Sequence, residues 1–339
     1  MMRLYPESAL TQLEFDKIKE LLGALCSTDF SKNKSNQLRI HTRKDFIDRE
    51  LRQAYEYKLI LQQQQYFPAD FTANIAKDIK LLSIPGALLV GEQWMMIKKL
   101  TESMGTVFRW FDNERRMAFP ALTQVLSDSY YEKLIVEMIN EVLDDAGVVL
   151  DNASPELQKI RMNLYKKRNE LRRVFEKMVQ KMAKSGYTAD IDESFSNGRR
   201  VIAVFSEYKR QVKGILHGES DSRKTAFIEP EETIELNNDV FALENEEIKE
   251  VQKILRALTA KLSVYAPLLQ QYIQIIGEYD FIKAKAKLAI NMNAHLPNVL
   301  DKAVVQLIEA YHPLLYLYNK DSGKKTIPVS IHLDDKNRI

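Results

Sequence analysis

Between Lys159 and Lys184 ten basic side chains stand against only two acids. The bases are Lys159, Arg161, Lys166, Lys167, Arg168, Arg172, Arg173, Lys177, Lys181 and Lys184; the acids are Glu170 and Glu176. An excess of eight positive charges on one short segment is the electrostatic footprint expected of a surface that holds a polyanion. A second group, Arg199, Arg200, Lys209, Arg210, Lys213, Arg223 and Lys224, follows within 186–236, but there ten acids outnumber the seven bases. Lys166, Lys167, Arg168, Arg172, Arg173 and Lys177, with the seven of the second group, are the candidate phosphate contacts. The bland alternative is a solvated face, since the flanks of paired helices are normally charged. The whole chain, with 49 Lys and Arg against 47 Asp and Glu, is nearly balanced, so only the distribution of charge points to a polyanion.

Bond-making chemistry is hard to place. His41, His217, His295, His312 and His332 have no metal-ligand spacing, and the single Cys26 excludes an intrachain disulfide framework and a multi-cysteine zinc site. Gly323-Lys324-Lys325-Thr326 resembles the end of a phosphate loop. Position 318, however, is Tyr where the first glycine must stand, and a second lysine replaces the Ser or Thr after the first. Acid pairs such as Glu246-Glu247 fit solvated helix faces. Phe205, Tyr208 and Phe227 suit packing in a small core better than base stacking. This segment is expected not to be an enzyme by itself, and no metal is expected. No apolar run reaches the roughly 18 residues that span a bilayer, and Met1 to Leu10 lacks a secretory core, so a cytoplasmic protein without membrane contact is expected.

The elements that must position these cations follow from periodicity. Leu157, Leu164, Leu171 and Met178 recur every seven residues, joined by Phe175 and Met182. On the far side of a β-patterned block, Ile248, Val251, Leu255, Leu258, Leu262 and Tyr265 step by three and four. Two such seams predict an antiparallel pair of helices carrying an insert, each leg of roughly 28 residues reaching about 40 Å at 1.5 Å per residue. Ser154-Pro155-Glu156 reads as a helix start and Lys184-Ser185-Gly186 as its end. Strands are predicted over 200–205, 212–217 and 225–229, with Asn197-Gly198 as a hairpin turn. The helix is predicted to resume near Asn238 and to run, with a break at Pro267, towards Met292. The first 145 residues read as a bundle of ordinary helices, interrupted at Phe67-Pro68, Ile84-Pro85-Gly86 and Phe119-Pro120. Val148 to Leu150 reads as a short strand. Ile327 to Leu333 alternates as a strand with no visible partner.

Several stretches together resemble the type-2 MutS family. They are Leu13-Glu14-Phe15-Asp16-Lys17-Ile18, the run from Asp151 to Arg161, Phe227-Ile228-Glu229-Pro230 with Leu236-Asn237-Asn238, and Tyr311-His312-Pro313-Leu314-Leu315. They occur in the family's order over nearly the whole chain. The resemblance implies a mainly α fold: a helical core bundle, long antiparallel lever helices carrying a small β-rich clamp, and the first strand or strands of an α/β ATPase domain. Implied bounds are 1–150 for the core, 151–185 for the outgoing lever, 186–237 for the clamp, 238–300 for the returning lever and core, and 301–339 for the start of the ATPase domain. His312-Pro313 would shape the turn into that domain, Ile327 and Pro328 would lie near its adenine pocket, and the phosphate loop would follow shortly after. The core begins within the first twenty residues, which leaves no room for the mismatch-reading domain with its Phe-x-Glu wedge. The family's clamp has Ser-x-Ser-Gly-x-Thr where this chain has Ser220-Asp221-Ser222-Arg223-Lys224-Thr225, so Arg223 argues against a left-handed turn there.

From the resemblance follow the functional expectations. The region would clamp branched or structured nucleic acid without reading sequence, as part of a DNA repair and recombination-control ATPase. The alternative is a lever and protein-interaction scaffold that engages stalled or collided ribosomes and their RNA. No cofactor is expected in this segment. ATP and Mg would act in the full-length protein, which would be a homodimer and in many members carries an Smr nuclease domain.

Overall fold

A computed structural model describes residues 8–188, 194–196 and 198–334. It is mainly helical and divides into two units, each discontinuous in sequence. Met1–Ile84, Gln93–Glu137 and Leu262–Ile339 form the first; Pro85–Glu92 and Met138–Lys261 form the second.

The helix Ala266–Asn291 organises the first unit. Its buried residues, from Leu268 and Leu269 through Tyr272, Ile275, Tyr279 and Phe281 to Leu288, face every direction around its axis. A helix apolar all round belongs inside a core. It packs against the helices Phe15–Ala24, Asp29–Asn36, Lys44–Gln62 and Ala76–Leu82. Pro267 stands in its first turn, where proline costs no hydrogen bond, and the three-residue turn Ser263–Tyr265 separates it from the helix before. Gly277 lets the neighbouring helix approach, because a Cβ there would lie 2.5 Å from the Phe30 ring. Three polar devices fix the surroundings. The buried Asp280 carboxylate accepts from the Ser27 and Thr28 amides at 2.8 Å each and from the Ser31 hydroxyl. Glu56 accepts from the Ala121 and Leu122 amides at 3.0 and 2.8 Å; burial pushes its carboxyl pKa up, although both amides pull it down. Lys285 pairs with Glu50 at 2.6 Å.

Val329–Leu333 is paired, contrary to the sequence expectation. It lies antiparallel to Val305–Ala310, with Val305 opposite Leu333. The partner was hidden because Val305–Ala310 spans six residues interrupted by a register shift between Leu307 and Ala310.

The second unit is the helix pair with its sheet. The outgoing helix runs Pro155–Lys184 and the returning helix Ile234–Leu262. Thirty residues at 1.5 Å give the outgoing helix a length of about 45 Å. Ser154 caps it by accepting from the Leu157 amide at 3.0 Å, with proline at the first position, and Gly186 follows its end at φ +72°. Leu157, Leu164, Leu171, Phe175, Met178 and Met182 are all buried, as the heptad pattern requires. On the returning helix Leu255, Leu258 and Leu262 are buried, but Ile248 is 56% exposed. The seam there passes through Leu236, Val240 and Leu243, which pack on Leu164 and Leu171. The helix begins at Ile234 rather than near Asn238.

Four strands, β1 Ser194–Ser196, β2 Arg199–Phe205, β3 Gly214–Glu219 and β4 Thr225–Pro230, form an antiparallel sheet in the order β1-β2-β4-β3. Ser196 pairs with Arg199 across the predicted hairpin; Gly198 has φ +78°, while Asn197 lies outside the described residues. β3 starts at Gly214, not Val212. Val212 instead enters a core made by Phe175, Met178 and Met182 of the outgoing helix with Ile202, Val204, Ala226 and Ile228 of the sheet. Val148–Leu150 is reduced to one bridge, Val149 to Leu143.

Candidate nucleic-acid interface

The seam decides where the cations of the outgoing helix point. Bases beside it meet acids of the returning helix. Arg161 binds Glu247 at 2.7 Å and also Asp151, Lys167 binds Asp239 at 2.9 Å, and Arg168 binds Glu244 at 2.6 Å. The Asp239 carboxylate raises the Lys167 pKa, so that ammonium stays charged. Arg172 folds back on Glu176, one turn along, at 2.9 Å. Pairs as open to water as those of Lys167, Arg168 and Arg172 add little to stability, but they lower the charge available to a ligand.

The remaining bases are different. Lys159, Lys166, Arg173, Lys177, Lys181 and Lys184 are exposed, and none makes an ion pair among the described residues. At 3.6 residues per turn their steps of seven, seven, four, four and three place all six within an arc of about 80°. That arc is centred roughly 140° from the seam by the same count. Of the candidates read from sequence, Lys166, Arg173 and Lys177 belong to this stripe, whereas Lys167, Arg168 and Arg172 lie in ion pairs off it. Lys159, Lys181 and Lys184 complete the stripe and were absent from the candidates. Projecting every base onto a helical wheel, instead of counting charge along the chain, finds them.

In the sheet the candidates are mostly engaged. Glu229, with 0% exposure, is the hub. It accepts from Arg199 Nη1 at 2.7 Å and Asn237 Nδ2 at 2.9 Å, and pairs with His217 Nε2 at 2.7 Å. Arg199 also donates to Asn238, and Asn237 Oδ1 accepts from the Arg200 amide at 3.2 Å. The Phe-Ile-Glu-Pro and Leu-Asn-Asn segments thus join the sheet to the returning helix. The Arg200 guanidinium lies 5.4 Å from the centre of the Phe195 ring, and Lys209 pairs with Glu219. Arg210, Lys213, Arg223 and Lys224 are exposed. Tyr208 stacks on Tyr187 at 4.8 Å against the small core, Phe227 is half-buried, and Phe205 is largely exposed.

Arg223 corrects the expectation about its turn. It takes φ +55°, the left-handed conformation, despite its Cβ. The loop is held from both sides: the Arg223 amide donates to the Ser220 carbonyl at 2.7 Å, and the Ser220 amide to the Thr225 carbonyl at 2.8 Å. Those bonds offset a conformational cost on the order of 1 kcal/mol.

The segment Gly323 to Thr326 does not form a phosphate cradle. Gly323 has φ +64°, the Lys324 amide donates to the Asn319 carbonyl at 2.7 Å, and Asn319 Nδ2 donates to Thr326 Oγ1 at 3.0 Å. A strand follows where the chemistry needs a helix N-terminus. Ile327 is 83% exposed and Pro328 half-buried, immediately before that strand. His312 caps the helix Pro313–Asp321 by accepting from the Leu315 amide at 3.4 Å. Among the described residues no group of three or more His, Cys, Asp or Glu could hold a metal ion, and no helix is long and apolar enough to cross a membrane. An exposed row of cations of this kind is the chemistry that attracts a polyanion.

No family model matches this chain. Curated relatives do. Endonuclease MutS2 of Carboxydothermus hydrogenoformans is 33% identical over 218 residues, 64% of this chain and 27% of the relative. Endonuclease MutS2 of Aquifex aeolicus is 28% identical over 333 residues, 98% of this chain and 42% of the relative. That of Latilactobacillus sakei is 30% identical over 308 residues, 90% and 39% respectively. The chain therefore spans between 27% and 42% of the length of these relatives. Matched through almost all of its own length by proteins of one kind, this chain is a relative of the type-2 MutS proteins.

Proposed function

We propose that this chain is the nucleic-acid-holding region of a MutS-type protein of DNA repair or recombination control. The observation that carries the reading is the set of exposed cations on the outgoing helix that make no ion pair among the described residues, in a chain whose relatives are named as endonucleases. The helix pair and its sheet hold branched or structured DNA through phosphates, without reading sequence. In the longer protein this holding is coupled to ATP and Mg, bound by residues other than Gly323 to Thr326. Ile327 and Pro328 lie towards the adenine, two copies act as a homodimer, and the location is the cytoplasm.

The test is binding of the 339-residue chain to linear and four-way-branched DNA over a salt series. The reading expects affinity independent of sequence and falling steeply with salt. Absence of binding to either DNA at low salt would sink it. A second reading, a scaffold docking on ribosomes, is favoured by one observation. Tyr165, Phe241 and Ile248, 71%, 51% and 56% exposed, sit within one turn of the Arg168–Glu244 and Arg161–Glu247 pairs and leave apolar surface open on that flank. Co-sedimentation with ribosomes in the absence of DNA binding would select it.

A further inference from the structure

We infer that the ligand-bearing surface of the second unit is the outer stripe of the outgoing helix, Lys159, Lys166, Arg173, Lys177, Lys181 and Lys184, and that it tracks the phosphate backbone of a duplex. The inference rests on the nucleic-acid reading above and adds the face, the residues and the strandedness.

Three observations carry it. First, no base of the stripe makes an ion pair with an acid of another element among the described residues, and the returning helix's acids Glu247, Asp239 and Glu244 hold bases beside the seam. One acid, Glu170, falls on the same face, and it lies 3.5 Å from Lys167. Second, the stripe is long and straight. Twenty-five residues separate Lys159 from Lys184, about 38 Å at 1.5 Å per residue. At 3.4 Å per base pair that covers about eleven pairs, close to one turn of duplex. Third, the stripe offers no stacking platform. The exposed aromatic of this helix, Tyr165, projects about 120° from the centre of the stripe. Single-strand binding uses aromatic side chains as well as charge; a row of cations alone suits a backbone whose bases are already paired. Lysines and arginines at spacings of about 5–10 Å along the axis reach successive phosphates without demanding any base.

The experiment compares two variants of the whole chain on a labelled duplex slightly longer than one turn, at 50 and 200 mM salt. Lys166→Gln, Arg173→Gln and Lys177→Gln together remove half the stripe; Arg168→Gln with Arg172→Gln removes two ion-paired bases off it. All are surface positions and glutamine favours helix, so circular dichroism should not change. For six phosphate contacts the unaltered chain should lose about two-thousandfold in affinity over that salt range, and the stripe variant about fortyfold, its salt slope reduced by about 2.7. The paired-base variant should keep the wild-type slope. A single-stranded oligonucleotide should bind more weakly than the duplex. If the chain binds duplex but the stripe variant matches wild type, or the paired-base variant loses as much, the stripe assignment is overturned while the nucleic-acid reading stands. If the unaltered chain binds no duplex and is retained on ribosomes or an acidic protein, both fall.

Discussion

The two legs of the helix pair share one seam and differ in sign. The outgoing helix, Pro155–Lys184, carries ten bases and three acids; the returning helix, Ile234–Leu262, carries six acids and four bases. The difference shows that the acidic leg determines which cations of the basic leg remain available. Glu247, Glu244 and Asp239 draw in the bases that flank the seam, Glu176 of the same leg holds Arg172, and helical geometry carries the other six to the far side. A local charge count over the outgoing helix therefore overstates what a ligand can meet and misplaces where it meets it.

The comparison can be broken at four places, from the largest expected effect to the smallest. Arg199→Ala leaves the fully buried Glu229 without its guanidinium where the sheet meets the returning leg. We expect a loss of about 3–5 kcal/mol, seen as faster hydrogen exchange in β2 and β4; unchanged exchange would show that Arg199 is not structural. Leu171→Ala opens a cavity on the shared seam, buried at 3% exposure, and should cost about 2–5 kcal/mol. Its measure is the denaturation midpoint. A double-mutant cycle on Arg168 and Glu244 should give a coupling of only about 0.2–1 kcal/mol, because both groups are partly exposed; a larger value would make the cross-leg pairs a source of stability and not only of charge placement. Ile248→Ala should change stability by less than about 0.5 kcal/mol, and a cost like that of Leu171→Ala would restore Ile248 to the seam.

Those last two positions show how far the sequence was legible. The outgoing seam could be read almost whole, since all six residues named from Leu157 to Met182 are buried, and only Ile160, buried with them, falls outside the spacing of seven. The returning seam could not, since Ile248 fits a three-four spacing as well as Val240 does; only docking against Leu164 and Leu171 decides between them. β2 and β4 were legible from β-branched runs, whereas the partner of Val329–Leu333 was not, because pairing between residues 19 to 28 positions apart leaves no local mark. For the candidate site, residue type was legible and direction was not. Arg199 and Lys177 look alike in sequence, yet one closes a buried hub and the other faces water. Arg223 shows the limit of a residue-type rule, since two backbone hydrogen bonds hold a turn that its side chain disfavours.

Asp280 carries a consequence for the order of events in synthesis. Its carboxylate satisfies the amides of Ser27 and Thr28, 253 and 252 residues earlier in the chain. At roughly 5–20 residues per second, the N-terminal helices wait on the order of 12–50 s before that acceptor is made. During the wait, Met138–Lys261, which includes both legs and the sheet, is completed first. The segment Met138–Lys261 is therefore complete in sequence while the first unit still lacks its central helix, Ala266–Asn291.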